Sequence, residues 1–371
     1  MSWKRPCLLA FVALGACSRE TFTAPVAPTV SADVRPAAAT LTVVMRHLDS
    51  PRGLAWGPRG GLYVVEAGSD VAGTTCVAVT RGTNCFSGTG AISRWWHGRQ
   101  QRVVSGLPSS YNATTHDIAG PQDLSIGGLG IARVTIGWGG APDARAGLGA
   151  LARGFGSLVA VLPNGRWFVE RDVSAFEATH NPAGGPIDSN PYGMLAEPGR
   201  TFVTDAGGNS LLQVRPNGAI SLVATFPTTR VPAGPFNPPF VQSEAVPTAV
   251  VRGPDGDLYV STLSGVPFLP GAAVIYRVVA GQSPDVVWRG FTTIIDLAFG
   301  RDGALYVLQY SSAPFLNGPG SIVKVASDGT RSTITAALTH PTSLLLGEHG
   351  SIYVTNNGDK AAIGEVVRVD Q

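Results

Sequence analysis

Lysine is scarce in this 371-residue chain: of 27 basic residues, only Lys4, Lys324 and Lys360 are lysines. There is no basic run, charged residues make up 14% and the formal net charge is +2. A partner with a phosphate backbone needs a concentrated basic face, so nucleic acid is excluded. Long apolar runs are missing as well, and none reaches the ~20 residues that a membrane-spanning helix requires. Catalytic signatures are equally thin. No Gly-x-Ser-x-Gly elbow occurs. The six histidines (His47, His97, His116, His180, His340 and His349) are scattered, with no partner at a telling spacing. A lone loop histidine is most simply solvated. What the chain has in quantity is turn formers, 47 Gly and 28 Pro, on a 44% hydrophobic background. That combination excludes disorder and points to a globular protein of many short strands.

Only four cysteines are present, and each sits where its use can be read. Lys4 and Arg5 precede a short apolar core at 7 to 16 ("CLLAFVALGA"), the layout of an export signal. Leu14-Gly15-Ala16-Cys17 has the form of a bacterial lipobox, so Cys17 is expected to carry a diacylglycerol anchor. Ser18 after it favours an outer-membrane or periplasmic lipoprotein; an ordinary secretory signal and a secreted product are the alternative. Residues 1–17 therefore read as the signal, 18–40 as an Ala/Pro/Thr-rich tether, and 41–371 as the folded part. Cys76 and Cys85 remain, nine apart in "CVAVTRGTNC" with no histidine beside them. In an exported protein they are expected to form a disulfide rather than a metal site.

A sentence then repeats along the chain. "PRGLAWG", "PQDLSIG", "PYGMLAE", "PTAVVRG", "IIDLAFG" and "PTSLLLG" begin at 51, 121, 191, 247, 294 and 341, with separations of 70, 70, 56, 47 and 47. A period of about 40 to 50 with several strands per unit is the sign of a β-propeller. Each start is followed by a tight turn such as "GPDGD" or "GRDGA", then "LYV" or "IYV", a third apolar strand and an outer strand. Runs apolar on successive residues fit sheets covered on both faces. The sixth unit lacks an outer strand, and "LTVVMRHL" at 41 to 48 supplies one. The expectation is an all-β, six-bladed propeller closed by its N-terminal strand, acting as a monomer.

In such a strand order, the insertions at 66–90, 107–120, 137–155, 172–190 and 226–245 all open on one rim. Long loops gathered on one face favour a binding surface. Polar residues expected near that rim are Glu66, Asp123, Asp188, Asn190, Asp205, Asn209, Asp296 and Asn356. Asp123 and Asp296, three units apart, would oppose each other across the axis. With Asp205 they could hold a cation through oxygen ligands, and Ca²⁺ suits carboxylates without thiolates or imidazoles. The pair could also act as acid and base if burial raised one pKa. Capping of backbone N–H groups is the competing explanation for each. Trp138 could line a rim pocket.

"SPRGLAWGP", "GLYVVEAG", "TGAISR", "DSNPYG", "DAGGNSLLQV", "FTTIIDLAFG" and "GEVVRV" together resemble the ScyD/ScyE family of exported bacterial proteins, over about residues 41 to 371. The resemblance implies an exported NHL-like propeller and leaves the activity open. Gln122 stands where histidine is more typical of that family, and Thr262 and Gln309 where glutamate is common. Two functions follow as expectations. One is a lipid-anchored propeller that binds a small molecule, glycan or envelope protein on its insertion-bearing face. The other is a metal-dependent hydrolase or lyase of the gluconolactonase or streptogramin-lyase type, in secondary-metabolite processing.

Overall fold

The computed structural model describes residues 39–79, 82–234 and 239–370, without the side chain of His349. The signal, Cys7, Cys17 and all but the last two residues of the tether lie outside the described residues. The described chain is all-β. Five antiparallel meanders follow one another. They begin with Pro51–Trp56, Pro121–Ile126, Pro191–Glu197, Pro247–Arg252 and Ile294–Phe299 as first strands. Each is a four-stranded sheet with its strands in chain order. A sixth sheet joins Ser343–Leu346, Ile352–Asn356 and Gly364–Asp370 to Thr40–Leu48. There Thr42 pairs with Arg368 and Val43 with Val367, so the two ends of the described chain share a sheet.

The strands form where the sequence is apolar because each sheet is covered on both sides. Buried clusters lie between consecutive sheets. Val65, Leu124 and Val134 pack first against second, and Leu158 with Met194 and Val203 second against third. The series ends with Met45, Leu48, Leu54 and Val64, which join the sixth sheet to the first. Met45 is 0% and Leu48 1% exposed. Burying two such side chains contributes about 1.5–3 kcal/mol each, enough to hold the closing strand in place. The tight turns use local chemistry: Asp255 Oδ1 accepts from Asp257 N at 3.1 Å, and Asp302 Oδ1 from Ala304 N at 3.2 Å.

Because the sheets are up-and-down meanders, connections alternate between two rims. The short turns fall on one and the five insertions on the other. The insertions are more structured than loops. From the first two insertions, Cys76–Val79, Gly82–Phe86, Ser110–Asn112 and Ile118–Ala119 form a further sheet, with Cys85 paired to Tyr111 and a Cys76–Cys85 disulfide between its first two strands. Thr229–Pro232 pairs with Phe240–Ser243. Pro142–Ala152 is a 3₁₀ segment, and Val173–His180 is a helix, α1. The sequence reading anticipated no helix there. Its start is fixed by Asp172, whose Oδ1 accepts from Ala175 N at 2.9 Å while Arg145 pairs with the same carboxylate.

Candidate functional site

The first strands of all six sheets surround an axial cavity of about 400 Å³. What brings them together is a set of side-chain clamps. Thr204 Oγ1 donates to the Thr248 carbonyl at 3.0 Å, Thr248 Oγ1 to Ile294 at 2.9 Å, and Thr342 Oγ1 to Pro51 at 2.6 Å. In each case a hydroxyl of one sheet holds the first strand of the next. Five of the first strands carry a register shift just after their opening residue, between Pro121 and Asp123 for example. Such bulges re-aim the side chains that follow. Gly53 and Gly193 sit at this level because neighbouring strands approach too closely for a side chain. A Cβ on Gly53 would lie 2.7 Å from Asp123 Cα, and one on Gly193 would run into the Thr248 carbonyl.

Asp123 and Asp296 both line the cavity. Each is also a clamp. Asp123 Oδ2 accepts from Met194 N and Oδ1 from Leu124 N, both at 2.8 Å. Asp296 Oδ2 accepts from Leu344 N and the Ser343 hydroxyl, both at 2.8 Å. Asp296 Oδ1 also accepts from Leu297 N at 2.8 Å, so the capping explanation holds for both. Protein surrounds the two carboxyls except along that channel. Burial lifts Asp123 to about 8, and the negative field of Asp296 adds to it, while the N–H groups of Met194 and Leu124 pull the other way. Asp296 is lifted to about 6 by burial, opposed by Leu344, Ser343 and Leu297. Burial also lifts the Tyr192 hydroxyl to about 12, partly offset by the Arg52 charge.

One residue that the sequence reading noted only as a family departure proves distinctive. Gln122 is 6% exposed, lines the cavity, and its Oε1 is buried without a hydrogen-bond partner. A buried amide oxygen left unpaired costs about 1–3 kcal/mol.

The other expected site residues are spent on structure. Glu66 is fully buried and accepts from Asp49 N, the Ser93 hydroxyl and Arg102. Asn356 Oδ1 accepts from Thr339 N at 2.7 Å, and Gln309 Oε1 from Thr292 N at 2.6 Å. Asp205 accepts from Asn190 N, Gly208 N and the Ser189 hydroxyl. These are equivalent positions, each fastening the segment just before a first strand. The job needs only an acceptor, which is why Glu, Asp, Gln and Asn interchange there. Asn209 Oδ1 takes Val246 N, Asn190 Oδ1 takes Trp138 N, and Asp188 lies beside Gly207. Trp138 does not line a pocket: it is 0% exposed against Phe155, with Nε1 donating to Ala141.

The expected metal trio is also divided. Asp123 and Asp296 share the cavity, whereas Asp205 belongs to the third sheet and is absent from its lining. Among the described residues, no three His, Cys, Asp or Glu side chains are grouped to hold a metal ion. The residues present do not fit Ca²⁺, which takes six to eight oxygen ligands. Two features reach beyond the channel. His340 stacks on Tyr310, faces Asp359 Oδ2 at 2.9 Å through Nδ1 and the Leu316 carbonyl at 3.2 Å through Nε2. The Asp359 carboxylate beside it raises its pKa. A wider, open groove of about 630 Å³ runs past Arg46 and Arg102, whose guanidinium is already paired with Asp49 and Glu66.

No family model and no curated protein sequence matches the chain. Among solved structures, it is similar to a glucose dehydrogenase (11% identity, TM-score 0.52, covering 90% of this chain and 99% of that one). It is also similar to XC5397 from Xanthomonas campestris, described as a gluconolactonase (11% identity, TM-score 0.51, 89% and 90% covered). A putative gluconolactonase follows at 12% identity and TM-score 0.50, with 90% and 93% covered. The structural neighbours are propeller proteins of the gluconolactonase and streptogramin-lyase type. At these identities the likeness concerns the fold.

Proposed function

We propose that this chain is an exported six-bladed β-propeller, closed by its N-terminal strand, that holds a small organic molecule in its axial channel. The observation that carries the reading is a cavity of about 400 Å³ lined by all six first strands, with Gln122, Asp123 and Asp296 together in its wall. That volume is in the range of small-molecule sites, which combine apolar walls with a few placed polar groups. The polar end, with Gln122, Asp123 and Asp296, lies under the insertion-bearing rim; Leu195, Val251 and Leu345 continue the wall toward the short-turn rim. The insertions would frame access from above. Lipidation at Cys17 and the tether at 18–40 would present the propeller, as a monomer, at the outer membrane or in the periplasm. The resemblance to ScyD/ScyE proteins supports an exported propeller on the residues quoted above.

The hydrolase or lyase reading has one observation in its favour. Asp123 keeps its proton at neutral pH, as a general acid must. Against it, both oxygens of Asp123 already accept from backbone N–H groups, and no histidine is among the residues lining the cavity. Binding is therefore the better-supported function. Thermal-shift measurements with aldonolactones, polyols, cyclic depsipeptides and alkylamines test it, with Gln122→Leu as control. At least one class should raise the melting temperature of the native protein by mass action, and Gln122→Leu should lose that rise. No shift, or shifts equal in both proteins, would remove the channel as the site. Conversion of a lactone by the native protein but not by Asp123→Asn would favour catalysis instead.

A further inference from the structure

Two carboxyls and no cationic side chain line the polar end of the channel, and we propose that the group it receives is an organic ammonium carried on an apolar body. This rests on the channel being the ligand site and adds the chemistry of the ligand. Asp123 and Asp296 stand three sheets apart around the axis, and Gln122, 6% exposed, lines the same wall with its amide unpartnered. Three hydroxyls of the wall donate within it, Thr248 to Ile294, Thr342 to Pro51 and Ser343 to Asp296, while the Tyr192 hydroxyl also lines the cavity. The Trp56 indole donates to Leu346. No lysine, arginine or histidine is among the lining residues. A carboxylate or phosphate ligand would thus meet like charge with no compensating cation. An ammonium brings three N–H donors and a positive charge that suits a site holding two carboxyls. A charge-assisted bond to a carboxylate is roughly twice as strong as a neutral one.

The other end of the cavity fixes the rest of the ligand. Beyond the carboxyl level, Leu195, Val251 and Leu345 line the wall with Ala55 and Ala298. A hydrophilic polyamine would leave these surfaces unused, whereas an alkyl or aromatic amine covers them. The facing groups also imply a proton exchange. The charged or titratable groups whose fields reach the site are Asp123, Asp296, Tyr192 and Arg52. With Asp123 lifted to about 8, the carboxyl pair holds a proton at neutral pH, and an incoming cation displaces it.

Calorimetric titration of the full chain with hexylammonium, 1-hexanol and hexanoate tests the proposal at pH 6 and pH 8. Hexylammonium should bind at least tenfold more tightly than hexanol at pH 8, and hexanoate should not bind. Its affinity should rise about fiftyfold from pH 6 to pH 8, as the ionised fraction of a group titrating at about 8 does, and its heat should track the ionisation enthalpy of the buffer as a proton is released. The Asp123→Asn/Asp296→Asn variant should lose the preference for ammonium over alcohol. If that variant does not fold, the pH and buffer dependence of the native protein decides alone. Equal affinities for amine and alcohol, or binding without proton release, would overturn the ammonium assignment. If alcohol binding is then lost in Gln122→Leu, the channel remains the site and only its ligand chemistry is wrong. No binding by any of the three overturns the ammonium proposal, and the wider ligand panel then decides the channel.

Discussion

Replacing Asp123 by asparagine should change how the stability of the protein depends on pH, in a direction the structure fixes. An unfolded aspartate ionises near pH 4, whereas burial and Asp296 lift folded Asp123 to about 8. The folded state therefore retains a proton that the unfolded state has released, and stability falls as pH rises from about 4 through 8. At ~1.4 kcal/mol per pH unit the loss is on the order of 5 kcal/mol, an upper bound because water reaches the carboxyl along the channel. Asparagine has no such proton, so this part of the slope should vanish. It also has one acceptor where aspartate has two. Either Met194 N–H or Leu124 N–H is left unpaired, at about 1–3 kcal/mol. The variant should thus melt below the native protein at pH 5 and approach or pass it at pH 9. Thermal melts in matched ionic strength from pH 4.5 to 9.5 measure both effects. A native melting temperature that is flat or rising over that range refutes the reasoning, as does a variant with the native slope.

Further outcomes follow from the same geometry. Glu177 on α1 is 1% exposed with Oε2 unpartnered, and burial with the fields of Asp205 and Asp188 lifts it to about 7. Glu177→Gln should raise stability by about 1–3 kcal/mol at pH 8.5 and by little at pH 4.5, seen in melts at both pH values. Trp138→Ala removes a fully buried ring and should cost about 3–5 kcal/mol in denaturant unfolding. Met45→Ala in the closing strand should cost about 2–5 kcal/mol and speed amide exchange in residues 364–370, its pairing partners. Cys76→Ser should leave the axial cavity unaffected while the hairpin at 76–86 exchanges faster, because the disulfide spans only that insertion.

The repeat was legible because a covered four-stranded sheet demands the same apolar strands and tight turns each time. Pro51, Pro121, Pro191, Pro247 and Ile294 do open first strands, and only the sixth starts later, at Ser343 rather than Pro341. The pairing of 40–48 with the last strand could be read from the missing outer strand. So could Cys76 with Cys85. What the sequence could not convey is what each polar side chain faces. Glu66, Asp205 and Asn356 fasten preceding segments by their acceptors, a role indistinguishable by residue type from cation ligation. Trp138 sits in a glycine-rich stretch that looks exposed, yet the insertions fold over it. Gln122 was visible only as a departure from a resembling family, since an unpaired amide oxygen is a property of its surroundings. The bulge that sets its level leaves no mark on the strand pattern.

The most direct measurement is a crystal structure of the protein soaked with whichever compound of the panel shifts its melting temperature most. The account predicts difference density in the axial channel, within hydrogen-bonding distance of Gln122 Oε1 and beside Asp123 and Asp296. Density confined to the outer groove near Arg46 and Arg102, with the channel holding only water, would contradict it.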